Sequence, residues 1–263
     1  MAQRLVRAKR KIATAAIPFV LPSDADLLDR LEVVHSVLYL IFNEGYAASA
    51  GDSHMRSDLF SEAIRLARLL AELVPDDAAT LALLALMLST DARSLARTDS
   101  QGVPVLLEDQ DRSLWDDDAI AEASAILDRS LRLNNHAGNP LQFQAAIAQL
   151  HAEARSASET DWHQIQLLYE RLQQAHPTPV VDLNHAVAVS MVQSPAAGLA
   201  LLDTAPLADE LVEYHYYHSA RADMLGRMGK PEQAAAAYDR ALDLTKSEPE
   251  RTLLERKRAR LSQ

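Results

Sequence analysis

Apolar residues recur at helical spacing along almost the whole chain. The first clear stripe advances mainly in steps of three and four residues, as one face of an amphipathic helix requires, and it contains Leu27, Leu28, Leu31, Val34, Leu38 and Ile41. Period-two alternation, which marks a half-buried strand, is absent. With ordinary helix lengths, the pattern predicts an all-α fold of about eleven to twelve helices.

Capping residues predict where several of these helices begin. Asp161 precedes one helical stretch, and Thr178 and Ser194 each stand directly before a proline. Ser247 and Glu250 have the spacing of a capping box. Side-chain oxygens at these positions accept hydrogen bonds from the free backbone N–H groups of a first turn. We therefore predict a helix start just after each of them.

One segment carries the small, bulky, small pattern of a tetratricopeptide (TPR) second helix. It reads GKPEQAAAAYDRALDL at residues 229–244, with Ala234, Tyr238 and Ala241 at the pattern positions. Small residues are needed there because the second helix crosses its neighbour closely. Looser copies with the same offsets begin at Ala63, Ala123 and Ile165. Stacked pairs of this kind predict a TPR-like solenoid of antiparallel helices with a groove.

Two stretches interrupt the helical pattern. Residues 43–54, NEGYAASAGDSH, are predicted to form an ordered loop or a lid. Residues 98–118, TDSQGVPVLLEDQDRSLWDDD, place six acidic residues around Trp115. Asp109, Asp111 and Ser113 mimic the first ligands of an EF-hand, but Leu114 stands where the turn needs glycine. The second stretch therefore predicts a solvated acidic surface and no metal site.

Charge divides the chain into two parts. The net charge is −11, and the first twelve residues contribute +5, so the remainder carries −16. An acidic body repels nucleic acid, whereas a short basic helix attracts phosphates, so we expect protein partners for the body. The candidate phosphate contacts are Arg4, Arg7, Lys9, Arg10 and Lys11.

Several kinds of chemistry have no sequence signal. The chain has no cysteine, and its seven glycines form neither a P-loop nor a dinucleotide fingerprint. Hydrolase motifs such as G-x-S-x-G and HExxH are also missing. We therefore predict a protein that is not an enzyme and has no cofactor. Without a signal peptide or a long apolar run, a cytoplasmic location away from membranes is expected.

Aromatic residues cluster in EYHYYHSARA near the C-terminus. Tyr214, Tyr217 and His218, together with the distant Tyr46, are candidates to line a groove that binds a peptide or a small molecule. Ordinary packing of the first helix of a TPR pair explains the same pattern, and the sequence leaves both readings open.

Several strings resemble one known family. AQRLVRAKRKIATAAIPFVLP resembles the end of region 4 of a bacterial extracytoplasmic-function (ECF) sigma factor. The strings VLYLIFNEGYAASAGD, LLEDQDRSLWD, QFQAAIAQLHAEARSASETDW and PVVDLNHAVAVS follow in the order of a subgroup with a TPR-like C-terminal extension. The promoter-binding regions of that subgroup are missing. Residues 1–20 thus resemble a remnant of region 4 with its linker, and residues 21–263 resemble the extension.

The resemblance implies a regulatory protein-interaction domain. The intact parent would bind core RNA polymerase and direct promoter-specific initiation, and it would contact promoter DNA only through its missing regions. This portion would control the promoter-binding regions of the same parent chain; a small-molecule or peptide sensor is the alternative. The motifs carry over, as a contact surface, Asn43, Glu44, Gly45 and Tyr46, and Leu107, Glu108, Asp109, Gln110, Asp111, Arg112 and Trp115.

Overall fold

The computed structural model describes residues 10–11, 14–15, 24–46, 56–133 and 138–261. All regular elements in this part of the chain are helical, twelve of them α-helices, which confirms the predicted all-α helical-repeat fold. None of the described helices is both long and apolar enough to cross a membrane. The first six are α1 (Asp24–Tyr46), α2 (Ser57–Leu73), α3 (Ala78–Asp91), α4 (Asp117–Leu133), α5 (Pro140–Glu153) and α6 (Trp162–Ala175). The others are α7 (Pro179–Val192), α8 (Pro195–Leu202), α9 (Ala205–Glu210), α10 (His215–Arg227), α11 (Pro231–Leu244) and α12 (Glu248–Arg260).

Close contacts divide the chain into two compact units, Met1–Val37 and Leu38–Gln263. In the first unit the Thr14 hydroxyl donates a hydrogen bond of 2.7 Å to the Arg10 carbonyl, as in a helical turn. The second unit contains the helical repeats.

Helix α3 is apolar on every side, and the structure explains why. Residues 80–90 are all buried, because α3 packs against α2, α4 and α5. Its start is fixed by Asp77, whose carboxylate accepts a hydrogen bond of 2.7 Å from the Thr80 amide. The buried side chains of α3 form part of the hydrophobic core, in which Leu83 and Met87 are fully enclosed.

The predicted small residues lie at helix crossings. Ala234 and Ala241 of α11 are fully buried against α10, and Tyr238 between them is also buried. The looser copies follow the same rule, since Ala63, Ala123 and Ile165 have no exposed surface. A side chain larger than alanine at the alanine positions would separate the packed helices.

All four predicted helix starts are confirmed, but only three of them have the predicted capping bond. Asp161, Thr178 and Ser194 accept hydrogen bonds of 2.9, 3.3 and 3.2 Å from the first turns of α6, α7 and α8. Ser247 does precede α12, but it makes no capping bond. Glu250 contacts α10 instead, because the Tyr216 hydroxyl donates to its carboxylate.

The final helix returns to the segment that follows α3. The Arg256 guanidinium of α12 lies 2.8 Å from the Asp99 carboxylate and donates a hydrogen bond of 2.7 Å to the Gln101 side chain. Successive helices from α5 to α8, and from α10 to α12, also pack against each other. This return places α12 and the segment after α3 beside one cavity.

Candidate functional site

The segment between α3 and α4, residues 92–116, is ordered by its own hydrogen bonds. Thr98 and Pro104 form an antiparallel bridge, and Asp99 accepts bonds of 2.9 Å from the amides of Gln101 and Val103. At its end the Asp116 amide donates to the carbonyl of residue 92 at 2.9 Å. These bonds hold the segment in a defined conformation.

Trp115 anchors this segment to the helices. Its side chain is 8% exposed and packs with Ala92, Ile120 and Ala152. The Arg112 guanidinium carbon lies 4.7 Å from the centre of the Trp115 ring, within the range of a cation–π contact. Trp115 therefore holds the segment in place. The predicted contact surface would require an exposed Trp115 side chain, whereas this side chain is buried.

Three carboxylates project from this anchored segment into solvent. We call Glu108, Asp109 and Asp111 the acidic turn, and all three are exposed. Asp111 accepts hydrogen bonds from the Ser113 hydroxyl at 2.7 Å and from the Ser113 amide at 3.0 Å. These two bonds lower the pKa of Asp111. The acidic turn presents fixed negative charge, as the sequence predicted. Of the other motif residues, Leu107 is partly buried and Gln110 is buried.

A cavity of about 550 Å³ lies beside the acidic turn. Its walls come from the segment after α3, the start of α6, the end of α7, and helices α10 to α12. Apolar side chains form part of the lining, among them Leu106, Leu107, Trp162, Val187, Met191 and Met224. The sequence predicted a groove, and this cavity is a concave site in the described part of the chain.

The charges around the cavity are unbalanced. Four cationic and two acidic side chains line it, namely Arg112, Arg227, Lys257 and Arg260, and Glu108 and Asp223. The excess of positive charge contrasts with the net charge of −11 for the chain. Such a lining attracts anions.

Charged and aromatic side chains join helices α10, α11 and α12 at the far wall. Lys257 lies 2.5 Å from the Asp223 carboxylate, which also accepts a hydrogen bond from the Tyr238 hydroxyl. Burial is the largest cause, and the Asp223 charge the next, of a raised pKa for Tyr238. The phenol therefore remains a hydrogen-bond donor at neutral pH.

The first predicted loop motif belongs to a helix. Asn43, Glu44, Gly45 and Tyr46 complete α1, so the loop prediction is wrong for these residues; residues 47–55 lie outside the described part of the chain. A Cβ atom on Gly45 would lie 2.6 Å from the Phe60 backbone nitrogen. Gly45 is therefore needed for the close approach of α1 and α2.

The other three residues of that motif lie around the α1–α2 contact. The Tyr46 ring centre is 6.3 Å from that of Phe60, and the Arg97 guanidinium carbon is 3.1 Å from the Tyr46 ring centre. Arg97 also donates a hydrogen bond of 2.8 Å to the Tyr46 carbonyl. Glu44 is 3.8 Å from Arg56, and Asn43 is partly buried. None of the four lines the cavity.

The predicted aromatic cluster does not line the cavity either. Tyr217 is 5% exposed and packs in the core, so its assignment to an accessible groove is wrong. Tyr214 is partly buried beside Tyr216, and a ring nitrogen of His218 lies 2.8 Å from the Val212 carbonyl. Ordinary packing, the alternative left open by the sequence, accounts for Tyr217.

The basic N-terminal residues belong to the first unit. Arg10 and Lys11 are exposed on the helical turn described above. Arg4, Arg7 and Lys9 lie outside the described residues. Their assignment as phosphate contacts stays a prediction.

Comparisons with known proteins give two matches. Residues 30–131 match a family model described as a family of unknown function (DUF6596). The chain is also 46% identical over 244 residues to an uncharacterized protein of Rhizobium meliloti (strain 1021). That match covers 93% of this chain, and the chain spans 57% of the relative's length. No solved structure matches the chain significantly.

Proposed function

We propose that this chain is the regulatory interaction domain of an ECF sigma factor and that its acidic turn binds the promoter-binding regions of the parent. The single observation that carries the docking surface is the exposure of Glu108, Asp109 and Asp111 on a segment anchored by Trp115. A fixed cluster of carboxylates binds a basic partner without first being ordered, which lowers the entropic cost of binding. The role is regulatory and not catalytic.

Charge complementarity supports this partner. DNA-reading helices are basic because they contact phosphates, and the basic residues 4–11 of this chain resemble the end of such a helix. A negative surface on the extension and a positive surface on the promoter-binding regions attract each other and fix their orientation. In this proposal, docking competes with promoter DNA and thereby controls initiation by core RNA polymerase in the cytoplasm.

The similarity to a longer protein is compatible with this organisation. The Rhizobium meliloti relative extends well beyond the matched region, which leaves space for promoter-binding regions in a protein of that length. The strings that resemble the sigma-factor subgroup fall both on the acidic turn and on the tight α1–α2 contact.

The test is a binding experiment with charge variants. The chain is mixed with the separately produced promoter-binding regions of an ECF sigma factor of this subgroup and analysed by gel filtration at low and high salt. We expect a complex at low salt that dissociates at high salt, because exposed charges are screened. The double change Glu108→Gln and Asp109→Asn should weaken the complex about tenfold or more.

A matched control separates the acidic turn from total charge. The double change Glu232→Gln and Asp243→Asn removes the same charge from exposed positions on α11. It should leave the complex intact. A complex that forms equally well with both double variants, or no complex at either salt, would contradict the proposed docking surface.

The cavity favours a second candidate function, a sensor domain that binds a small molecule or peptide. Its volume of about 550 Å³ lies in the range of small-ligand sites, and part of its lining is apolar. The aromatic residues predicted for this role do not form it; the lining comes from the segment after α3, the start of α6, the end of α7 and helices α10 to α12.

A further inference from the structure

Two arginines meet at Trp115 where α3 and α5 end. Arg93 lies two residues after the end of α3 and is only 7% exposed, with its guanidinium carbon 5.9 Å from the Trp115 ring centre. Arg112 lies at 4.7 Å from the same centre, and its Nε donates a hydrogen bond of 3.0 Å to the Ala154 carbonyl. His151 of α5 completes the group. We call Arg93, Arg112, Trp115 and His151 the Trp115 cluster.

Each member of the Trp115 cluster has a buried polar atom without a hydrogen-bond partner among the described residues. These atoms are Arg93 Nε, Arg112 Nη2, Trp115 Nε1 and His151 Nδ1. In the described part of the chain, neither guanidinium forms an ion pair with a carboxylate. Buried donors are normally satisfied, and buried charges are normally paired, because desolvation is costly.

More exposed arginines in the same unit show the opposite arrangement. Arg221 is 2.8 Å from Asp203, and Arg68 and Arg258 are paired with Glu122 and Asp239. These three arginines have better access to water and have carboxylate partners, whereas Arg93 has none among the described residues. Stability alone does not favour this distribution of charge.

The pKa of His151 reflects the burial and the charges of the Trp115 cluster. Burial, followed by the charges of Arg93 and Arg112, lowers the pKa of His151 to about 4. At neutral pH the imidazole is therefore uncharged, and the cluster carries the two positive charges of the guanidinium groups.

The cluster continues into the cavity. Arg112 lines the cavity wall, and so does Trp162, whose ring centre is 5.2 Å from that of His151. Farther along the wall, Arg227 donates a hydrogen bond of 2.9 Å to the Ser190 carbonyl and has no carboxylate partner among the described residues. Among the charged side chains of the cavity wall the cationic ones are in excess, which favours an anionic group at Arg112.

We infer that the Trp115 cluster and the adjoining cavity form a binding site for a small organic molecule that carries a carboxylate or phosphate group. Guanidinium groups bind such oxyanions with two parallel hydrogen bonds, and the Trp115 indole N–H adds a neutral donor. The apolar part of the cavity wall would contact the remainder of the molecule. This inference rests on the second candidate function, the small-molecule sensor, and not on the acidic turn or on docking to a sigma factor.

The two tryptophans provide the measurement. Trp115 and Trp162 are the only tryptophans in the sequence, and both adjoin the proposed site. Inorganic phosphate and succinate are titrated in turn, with potassium chloride keeping the ionic strength constant, while fluorescence and the melting temperature are followed. We expect a saturable fluorescence change and a rise in melting temperature with at least one of the two probes. The stronger probe assigns the ligand to phosphates or to carboxylates.

Arg93→Met tests whether Arg93 belongs to a binding site or to the scaffold. We expect the variant to bind the probe at least about tenfold more weakly while its melting temperature without probe is unchanged or higher, since a buried unpaired charge has been removed. Arg171→Met removes an exposed positive charge from α6 and should bind like the native chain. If Arg93→Met does not fold, Trp115→Phe replaces it. That variant keeps an aromatic ring and loses one donor, so its affinity should fall severalfold, with Trp162 as the reporter.

Two outcomes would overturn the inference. One is the lack of a saturable response to phosphate and to succinate at constant ionic strength. The other is an unchanged response in a folded Arg93→Met variant, or in Trp115→Phe if the first variant is unfolded. Either result would leave the cluster as a stacked support for the segment after α3.

Discussion

Aromatic and charged side chains meet both in the Trp115 cluster and at the junction of helices α10 to α12, but the two regions balance their charges differently. At the junction, Glu250 lies 2.9 Å from His215 and accepts a hydrogen bond from Tyr216, while Asp223 lies between Lys257 and Tyr238. In the Trp115 cluster, two guanidinium groups share one indole ring, and no described carboxylate pairs with them.

The difference shows how the same residue types serve two purposes. A buried polar network stabilises a fold when each donor has an acceptor, because the cost of desolvation is then offset. Donors without acceptors cost stability and retain the capacity to bind a ligand. We therefore expect changes at the junction to destabilise the protein and changes in the Trp115 cluster to affect mainly binding.

The largest effect is expected at Glu250, which is 8% exposed. Replacing it with alanine in Glu250→Ala leaves Tyr216 and His215 without their carboxylate partner. We expect a loss of about 3 kcal/mol in the free energy of unfolding, measured by urea titration. Glu255→Ala, an exposed position on the same helix, should change this free energy by less than about 0.5 kcal/mol. Equal losses in the two variants would show that the junction is not a stabilising network.

The pH dependence of stability tests the other region, the Trp115 cluster. His151 has an ordinary pKa of 6.5, which burial and two arginines lower to about 4 in the folded state. As the pH falls, the His151 side chain therefore takes up a proton in the unfolded chain at a higher pH than in the folded chain. His151 lowers stability by about 2 kcal/mol at pH 5, and its contribution is constant above about pH 7 and below about pH 3.

The variant His151→Gln tests this prediction, and His176→Gln is its matched control. Urea titrations at pH 7 and pH 5 should show a smaller loss of stability on acidification for His151→Gln than for the native chain. His176 is exposed at the end of α6, so its replacement should leave the loss unchanged. The same loss in both variants would mean that His151 titrates normally and that the Trp115 cluster is accessible to water.

A smaller effect is expected at Tyr238. Tyr238→Phe removes the hydroxyl that donates to Asp223 and keeps the buried ring. We expect a loss of about 1 to 2 kcal/mol in the free energy of unfolding, because a hydrogen bond to a charged acceptor is removed. In Tyr169→Phe, where the hydroxyl bonds to no described residue, the loss should be smaller. The reverse order would contradict the view that pairing stabilises the junction.

Local sequence patterns predicted much of the fold. The offsets of Ala234, Tyr238 and Ala241 identified a helix crossing, because the packing of small residues depends only on helical spacing. The oxygens of Asp161 and Thr178 identified helix starts for the same reason, since capping joins residues three positions apart.

Patterns based on glycine and on aromatic residues were less informative. Gly45 suggested a loop, yet the structure uses it inside α1, where the missing side chain allows close contact with Phe60. Tyr217 suggested a groove because an amphipathic ring suits both core and surface, and here it lies in the core.

The candidate binding site could not be predicted from any local pattern. Arg93 and Arg112 lie near opposite ends of the segment after α3, His151 lies on α5, and the packing of α3 against α5 brings these positions together. Glu250 was assigned to a capping box because the spacing fitted, whereas its carboxylate contacts Tyr216 and His215 of α10 and accepts a hydrogen bond from Thr245. Contacts between distant segments decide which charges are paired, and a single sequence does not encode them in its spacing.

The smallest effect is expected at the contact between Arg256 of α12 and Asp99 of the segment after α3. The Arg256 hydrogen bond is the largest cause of a lowered pKa for Asp99, and the Val103 amide adds to it. The stabilising contribution is therefore present above the ordinary carboxyl pKa and is lost as the pH falls through the lowered value. Arg256→Gln should raise the pKa of Asp99, measured by NMR titration, with a smaller change in melting temperature than Tyr238→Phe produces.

Salt separates this contact from the buried junction. Because Arg256 is 42% exposed, the difference in melting temperature between Arg256→Gln and the native chain should vanish at about 1 M salt, whereas that of Tyr238→Phe should persist. Arg240→Gln, which breaks another exposed pair away from the segment after α3, should leave the pKa of Asp99 unchanged. A loss that persists in salt would show that Arg256 holds α12 against that segment through packing as well as charge. The cavity wall would then depend on this contact, and the binding of phosphate or succinate should weaken with it.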